Sequence, residues 1–112
     1  YTFNDNGSFT ATGNITAYSD RRVKAQFEPI TDALAKVQQL HGQTYIRTDM
    51  DDANRRYAGL IAQDVEAVLP EAVSEVEDHL ALDYSGTIGL LVEAIKELKQ
   101  EVNDLKAQLK DK

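Results

Sequence analysis

The sequence predicts an α+β fold: a small mixed domain of helices and β-hairpins, ending in a long C-terminal helix and preceded by a short β-rich segment. Three observations carry this reading. Residues 1–18 are rich in threonine, asparagine, glycine and aromatic residues, a composition that suits strands and turns. Leu80, Leu82 and Tyr84 alternate with Ala81 and Asp83, as in a half-buried strand. From Ile88 to Leu109, apolar residues recur at alternating steps of 3 and 4, the spacing of a heptad repeat.

The elements follow in chain order. Asn6-Gly7 is a hairpin turn signal, flanked by Phe3 and Phe9. The segment lacks the apolar mass for a core of its own and reads as the last strands of a larger β-rich body. Glu28-Pro29-Ile30-Thr31-Asp32 opens a helix that Thr31 or Asp32 can cap, with Ile30, Leu34, Val37 and Leu40 on one face and Gly42 as its stop. Residues 43–48 and 56–60 read as two strands around the polar, acidic tip 49–55. Ile61, Val65, Val68 and Leu69 share one side of a short helix, which Pro70 ends. Residues 73–76 and 80–84 bracket a turn at Glu77-Asp78-His79.

The last segment, residues 85–112, has Asp83 or Ser85 as its cap. Ile88, Ile95, Val102 and Leu109 fall at a, and Leu91, Leu98 and Leu105 at d. Glu101 at g and Lys106 at the next e can pair between chains. Leu90, Val92 and Ala94 widen the stripe at its N-terminal end, where the helix is expected to pack on its own domain. A stripe this narrow suits self-association better than a globular core. Isoleucine at a with leucine at d nominally favours two parallel strands, so heptad chemistry alone points to a dimer.

A chain of 112 residues is one domain with an appendage, and so small a core has marginal stability unless it oligomerises. It has no cysteine, which excludes disulfides and thiolate–metal sites; no metal or other cofactor is expected. No apolar run approaches membrane-spanning length, so no membrane partner is expected. The net charge of −7 is concentrated in residues 49–78, which carry two positive and nine negative groups. Nucleic-acid binding there is disfavoured. Arg21, Arg22 and Lys24 form the one dense basic spot.

That spot is also the point where two unlike segments meet. Ser19-Asp20-Arg21-Arg22-Val23-Lys24 places a hydroxyl five residues before an amine. A serine hydroxyl needs a base to act as a nucleophile, and a desolvated lysine can serve. On a helix or irregular turn the lysine can reach back; on an extended strand it cannot. Attack of Ser19 on the Tyr18 carbonyl would place the cut at Tyr18–Ser19. Backbone amides near Arg21 and Arg22, or their guanidinium groups, could stabilise the oxyanion. Asp20 could orient Lys24 or cap a turn. Taken alone, the spacing is weak evidence: it occurs often by chance, and an ordinary capped turn without chemistry accounts for it far more often. His41 and His79 read as surface or turn residues, since neither accompanies a nucleophile.

Residues 19–112 resemble the intramolecular chaperone domain at the C-terminus of phage tail spikes and tail fibres, also called the S74 self-cleaving peptidase domain. Three blocks carry the likeness: Ser19 to Lys24 with Glu28-Pro29-Ile30; Gly59 to Val73; and Leu82-Asp83-Tyr84 with Leu90 to Leu98. Val23 departs mildly from the leucine more usual before the lysine. The resemblance implies a homotrimer rather than a dimer, with a parallel trimeric coiled coil at residues 85–112. It implies that residues 1–18 end a β-rich shaft, which is the folding client of residues 19–112. It implies Ser19 and Lys24 as the catalytic pair, with no small-molecule substrate in this segment. Assembly would occur in the host cytoplasm, the shaft staying in the virion tail and the chaperone being released. A plain oligomerisation and adhesion module at a fibre tip, with Ser19 as a cap, is the competing reading.

Overall fold

The computed structural model describes residues 2–4 and 7–111, with the backbone alone at Phe3. The chain divides into two compact units, residues 1–28 with 45–57, and residues 29–44 with 58–112.

The first unit opens with β1 (Thr2–Phe3) and β2 (Phe9–Thr10), paired antiparallel with Thr2 opposite Thr10 and Phe3 opposite Phe9. The Asn6 half of the expected turn lies outside the described residues. Gly7 has φ +90°, which a side chain would oppose, and its N–H donates to the Asn4 carbonyl at 3.0 Å. A 3-10 turn at Arg21–Val23 follows. The hairpin of β3 (Gln43–Ile46) and β4 (Arg56–Gly59) matches the expected strand pair, and its tip belongs to this unit. Tyr45 and Tyr57 stack across it at 6.4 Å.

The second unit holds the core. Helix α1 (Ala33–Val37), helix α2 (Ala62–Val68) and the long helix α3 (Tyr84–Lys110) bury Ala33, Val65, Val68, Leu69, Ala72, Leu90 and Ala94 together. Ile30, Leu34, Val37, Leu40, Leu60, Val73 and Leu82 pack around them. Pro70 begins a 3-10 turn through Ala72, as its fixed φ and missing N–H allow at a first helical position. Strand β5 (Val73–Val76) then pairs antiparallel with β6 (His79–Leu82).

Several expectations need correction. The turn between β5 and β6 contains two residues, Glu77 and Asp78, both at positive φ; His79 is already in the strand, opposite Val76. Two left-handed central residues match the right-handed twist of a hairpin, even without glycine. Tyr84 is the first helical residue rather than the end of a strand, because Asp83 caps α3 by accepting from the Ser85 amide at 3.0 Å. Ile61 is exposed: it precedes α2 with an extended backbone and so leaves the Val65–Val68 row. Val92 is also exposed, since it lies about 200° round the helix from Leu90. Helix α1 stops at Val37 and tightens through Leu40, well before Gly42, which is not in the left-handed region.

The start of α1 also differs. Asp32 occupies the cap position at φ +52°, and its side chain makes no capping bond. The amides of Ala33 and Leu34 donate instead to the Glu97 carboxylate of α3, at 2.7 and 3.0 Å. These amide bonds, Leu34 first, hold the Glu97 carboxyl below the ordinary glutamate value of 4.5.

Helix α3 therefore has two faces. Thr87, Leu90, Ala94 and the half-buried Glu97 turn to the domain. Ile88, Leu91, Ile95, Leu98, Val102, Leu105 and Leu109 stay open, from 37% exposed at Val102 to 71% at Leu109.

Two predictions follow from this packing. A Cβ on Gly86 would lie 2.8 Å from the Ala72 Cβ. Gly86→Ala is expected to destabilise the fold by ~1–3 kcal/mol through overpacking, outweighing a helix-propensity gain of about 1 kcal/mol; chemical denaturation checks this. Glu97→Ala is expected to lower the thermal midpoint at neutral pH. A depressed folded-state pKa stabilises above the unfolded value and is lost as pH falls through the folded one. Parallel thermal melts should therefore show the wild type converging on Glu97→Ala as pH drops below 4.5.

Candidate functional site: the Ser19–Lys24 turn

A short, locally determined turn builds the site. Asp20 has an extended backbone, and its carboxylate accepts from the Arg22 amide at 2.8 Å. The Val23 amide then donates to the Asp20 carbonyl and the Lys24 amide to the Arg21 carbonyl, both at 3.1 Å. These bonds wind one 3-10 turn and release the chain into an extended conformation at Lys24. The lysine side chain consequently reaches back over the turn. Lys24 Nζ donates to Ser19 Oγ at 2.5 Å.

The neighbouring charges are also assigned. Arg22 grips the Asp20 carboxylate with Nε at 3.1 and 3.2 Å and Nη2 at 2.8 Å. The Arg22 side chain, then its amide, hold the Asp20 carboxyl below the usual carboxylate range; Asp20 in turn pushes the Arg22 guanidinium up. The Arg21 guanidinium lies 5.1 Å above the Phe27 ring. Gln26, at φ +56°, turns the chain between Lys24 and Phe27. Residues 12–29 are exposed throughout, Tyr18 at 97%.

The turn thus brings Ser19 and Lys24 into direct contact, and Tyr18 precedes them in the chain. Asp20 takes the capping role and joins Arg22, not Lys24. The Arg22 amide would have to leave Asp20 before it could bind an oxyanion, whereas the Arg22 guanidinium keeps Nη1 outside that clamp and the Arg21 guanidinium lies over Phe27. His41 and His79 are exposed; His79 Nδ1 lies 3.0 Å from the Glu77 carbonyl oxygen. Among the described residues no cluster of His, Cys, Asp and Glu could hold a metal, and no helix is long and apolar enough to cross a membrane. A cavity of about 220 Å³ is lined by Val37, Leu40, Gly42, Leu60, Thr87, Leu90 and Leu91, a mostly apolar set.

The order of chain segments around this turn matches a known profile, described as the chaperone of endosialidase, which covers residues 19–74 and so opens on Ser19 itself. The chain belongs to the endosialidase-chaperone family. Its relatives include long tail fiber protein Gp37 of Enterobacteria phage K3, 40% identical over 103 residues that make up 86% of this chain and 8% of that protein. Gp37 of Enterobacteria phage M1 is 36% identical over 122 residues, 97% of this chain and 49% of that protein. Myelin regulatory factor homolog 1 of Caenorhabditis elegans is 35% identical over 63 residues, 56% of this chain and 7% of that protein. The endosialidase-chaperone domain described here therefore spans between less than a tenth and about half of these curated relatives.

Two features of the domain escaped the sequence reading. The Asp20–Arg22 clamp had a visible signal, a capping residue two positions before an arginine, but the spacing alone does not separate capping from ion pairing. The Glu97 cap on α1 had only a weak one, a carboxylate at a c position on the domain side of the heptad.

Proposed function

We propose that this chain is an intramolecular chaperone for a phage tail fibre, and that it releases itself by autoproteolysis at Ser19. The observation that carries the reading is the 2.5 Å contact between Ser19 Oγ and Lys24 Nζ. The resemblance to Gp37 tail fibre proteins supports a fibre shaft, ending in residues 1–18, as the client of residues 19–112. Folding would take place in the host cytoplasm, leaving the shaft in the virion.

In the proposed reaction, neutral Lys24 Nζ takes the Ser19 hydroxyl proton as Oγ attacks the Tyr18 carbonyl carbon. The tetrahedral centre collapses with cleavage of the Tyr18 C–Ser19 N bond, and Lys24 returns the proton to the departing nitrogen. The product is an ester between the Tyr18 carboxyl and Ser19 Oγ, with a free Ser19 amine. Water then adds to the ester carbonyl, yielding the Tyr18 carboxylate and the Ser19 hydroxyl. The cut falls before Ser19 because a serine attacking its own carbonyl would close a strained four-membered ring.

An amine accepts a proton at neutral pH only once desolvation disfavours its charged form. Lys24 is exposed in the single chain, so water would be excluded by neighbouring copies or by residues 1–18 pressed into place. The open a/d face of α3 supports assembly into a parallel homotrimeric coiled coil, since monomers rarely leave so long an apolar stripe uncovered. Three helices in register would align three shafts before their strands pair, which matters because a one-residue slip reverses every strand face. Cleavage would then remove the template and leave the shaft kinetically trapped.

Ser19→Ala is expected to abolish processing while leaving assembly intact. Lys24→Arg should do the same, because arginine keeps the charge and cannot give up its proton near neutral pH. Gel analysis with light scattering on one sample reads both quantities; shedding of residues 1–18 at the wild-type rate by either variant removes that residue from the dyad. Ile95→Asp would set three carboxylates in one buried layer, at a cost no partner offsets. The expected result is monomeric or misassembled protein that stays uncut. A clean monomer cutting at full speed would place the whole site within one chain.

A further inference from the structure

Asp20 stands beside the proposed nucleophile and four residues before the proposed base. It is the one carboxylate within the turn, as close in sequence to Lys24 as Glu28 is on the other side. A free carboxylate there would compete with Ser19 for the lysine and would favour the ammonium form, which cannot accept a proton. Arg22 blocks that competition. Its fork-shaped head group engages both Asp20 oxygens, and its amide takes Oδ1 as well. The other charged groups of the segment are Arg21, turned onto Phe27, and Glu28. Among the described residues no side chain from another element makes a hydrogen bond or ion pair with Asp20, Arg22 or Lys24.

We propose that Arg22 is a positioning residue for the cleavage, which sequesters Asp20 and so leaves Lys24 to Ser19 as an unpaired general base. This rests on the Ser–Lys reading above. It sets two opposed requirements on Asp20. Asp20 must be present to cap the turn that brings the dyad together, and its charge must be withheld from the base. An arginine two residues on does both, since the bond that caps the turn and the bonds that bind the carboxylate come from the same residue. Arg22 is itself highly exposed, at 87% for its side chain, so replacing it should not disturb the core.

The test is the cleavage rate against pH for the full chain, for Arg22→Gln, and for the double variant Arg22→Gln with Asp20→Asn. Assembly is checked by light scattering on each sample. Both variants lack the arginine charge, so the difference between them isolates the Asp20 charge; asparagine still offers Oδ1 to cap the turn. In Arg22→Gln the acid limb of the profile should move up by roughly one pH unit, slowing cleavage at neutral pH by about tenfold and recovering at higher pH. The double variant should return most of the way to the wild-type limb. An unmoved limb in Arg22→Gln, a loss of cleavage at every pH, or a double variant no better than the single one overturns the role given to Arg22. Those outcomes leave the dyad standing as long as the wild-type chain cuts and Ser19→Ala does not. A wild-type chain that assembles and never cuts removes the dyad, and the role of Arg22 with it.

Discussion

The seating of α3 on the second unit is the constraint from which most of this structure follows. A helix of 27 residues extends about 40 Å, far more than so small a core can cover. Only Thr87, Leu90 and Ala94 are buried against the domain, all within the first half of the helix. They are spaced so that the a/d row lies on a different side. The domain can therefore hold the helix without using the surface that a second helix would need. Glu97 strengthens the attachment by giving α1 the cap its own sequence does not provide, and Gly86 lets the Pro70–Ala72 turn approach where any side chain would hold it away.

The Ser19–Lys24 turn obeys a different economy of structure. It lies outside the buried core and takes its shape from bonds between near neighbours, with no residue of the group shielded from water. Such an arrangement places a hydroxyl and an amine in contact at little cost to the fold, in full contact with water. For the proposed cleavage, geometry and activation are therefore separate requirements. The contact is met within six residues; desolvation of the amine would have to come from surroundings that cover the turn.

The parts of this architecture legible in the sequence were those fixed by neighbours. The heptad row of α3, the strands β3 and β4, the cap at Asp83 and the reach of Lys24 to Ser19 all follow from short-range spacing. The α1 cap was not legible because its donors and acceptor are 63 and 64 residues apart. The Glu77-Asp78 turn carried no asparagine–glycine signature; tight pairing of β5 with β6 imposed left-handed backbone on two residues that do not prefer it. Val92 looked like part of the domain-facing side because hydrophobicity alone does not say which arc of a helix is covered. At the site, the pairing of hydroxyl and amine was readable from spacing, whereas the tie between Asp20 and Arg22 depended on side-chain directions that only the folded turn defines.

The compactness of that turn has an evolutionary consequence. A hydroxyl and an amine that meet inside one six-residue word need no scaffold upstream to find each other. Such a word can sit behind unrelated sequences without losing its shape. A segment organised in this way is portable, free to change neighbours while keeping its own grammar. The chain's similarity both to phage long tail fibre proteins and, over 63 residues, to a nematode myelin regulatory factor homologue is a distribution that such portability permits.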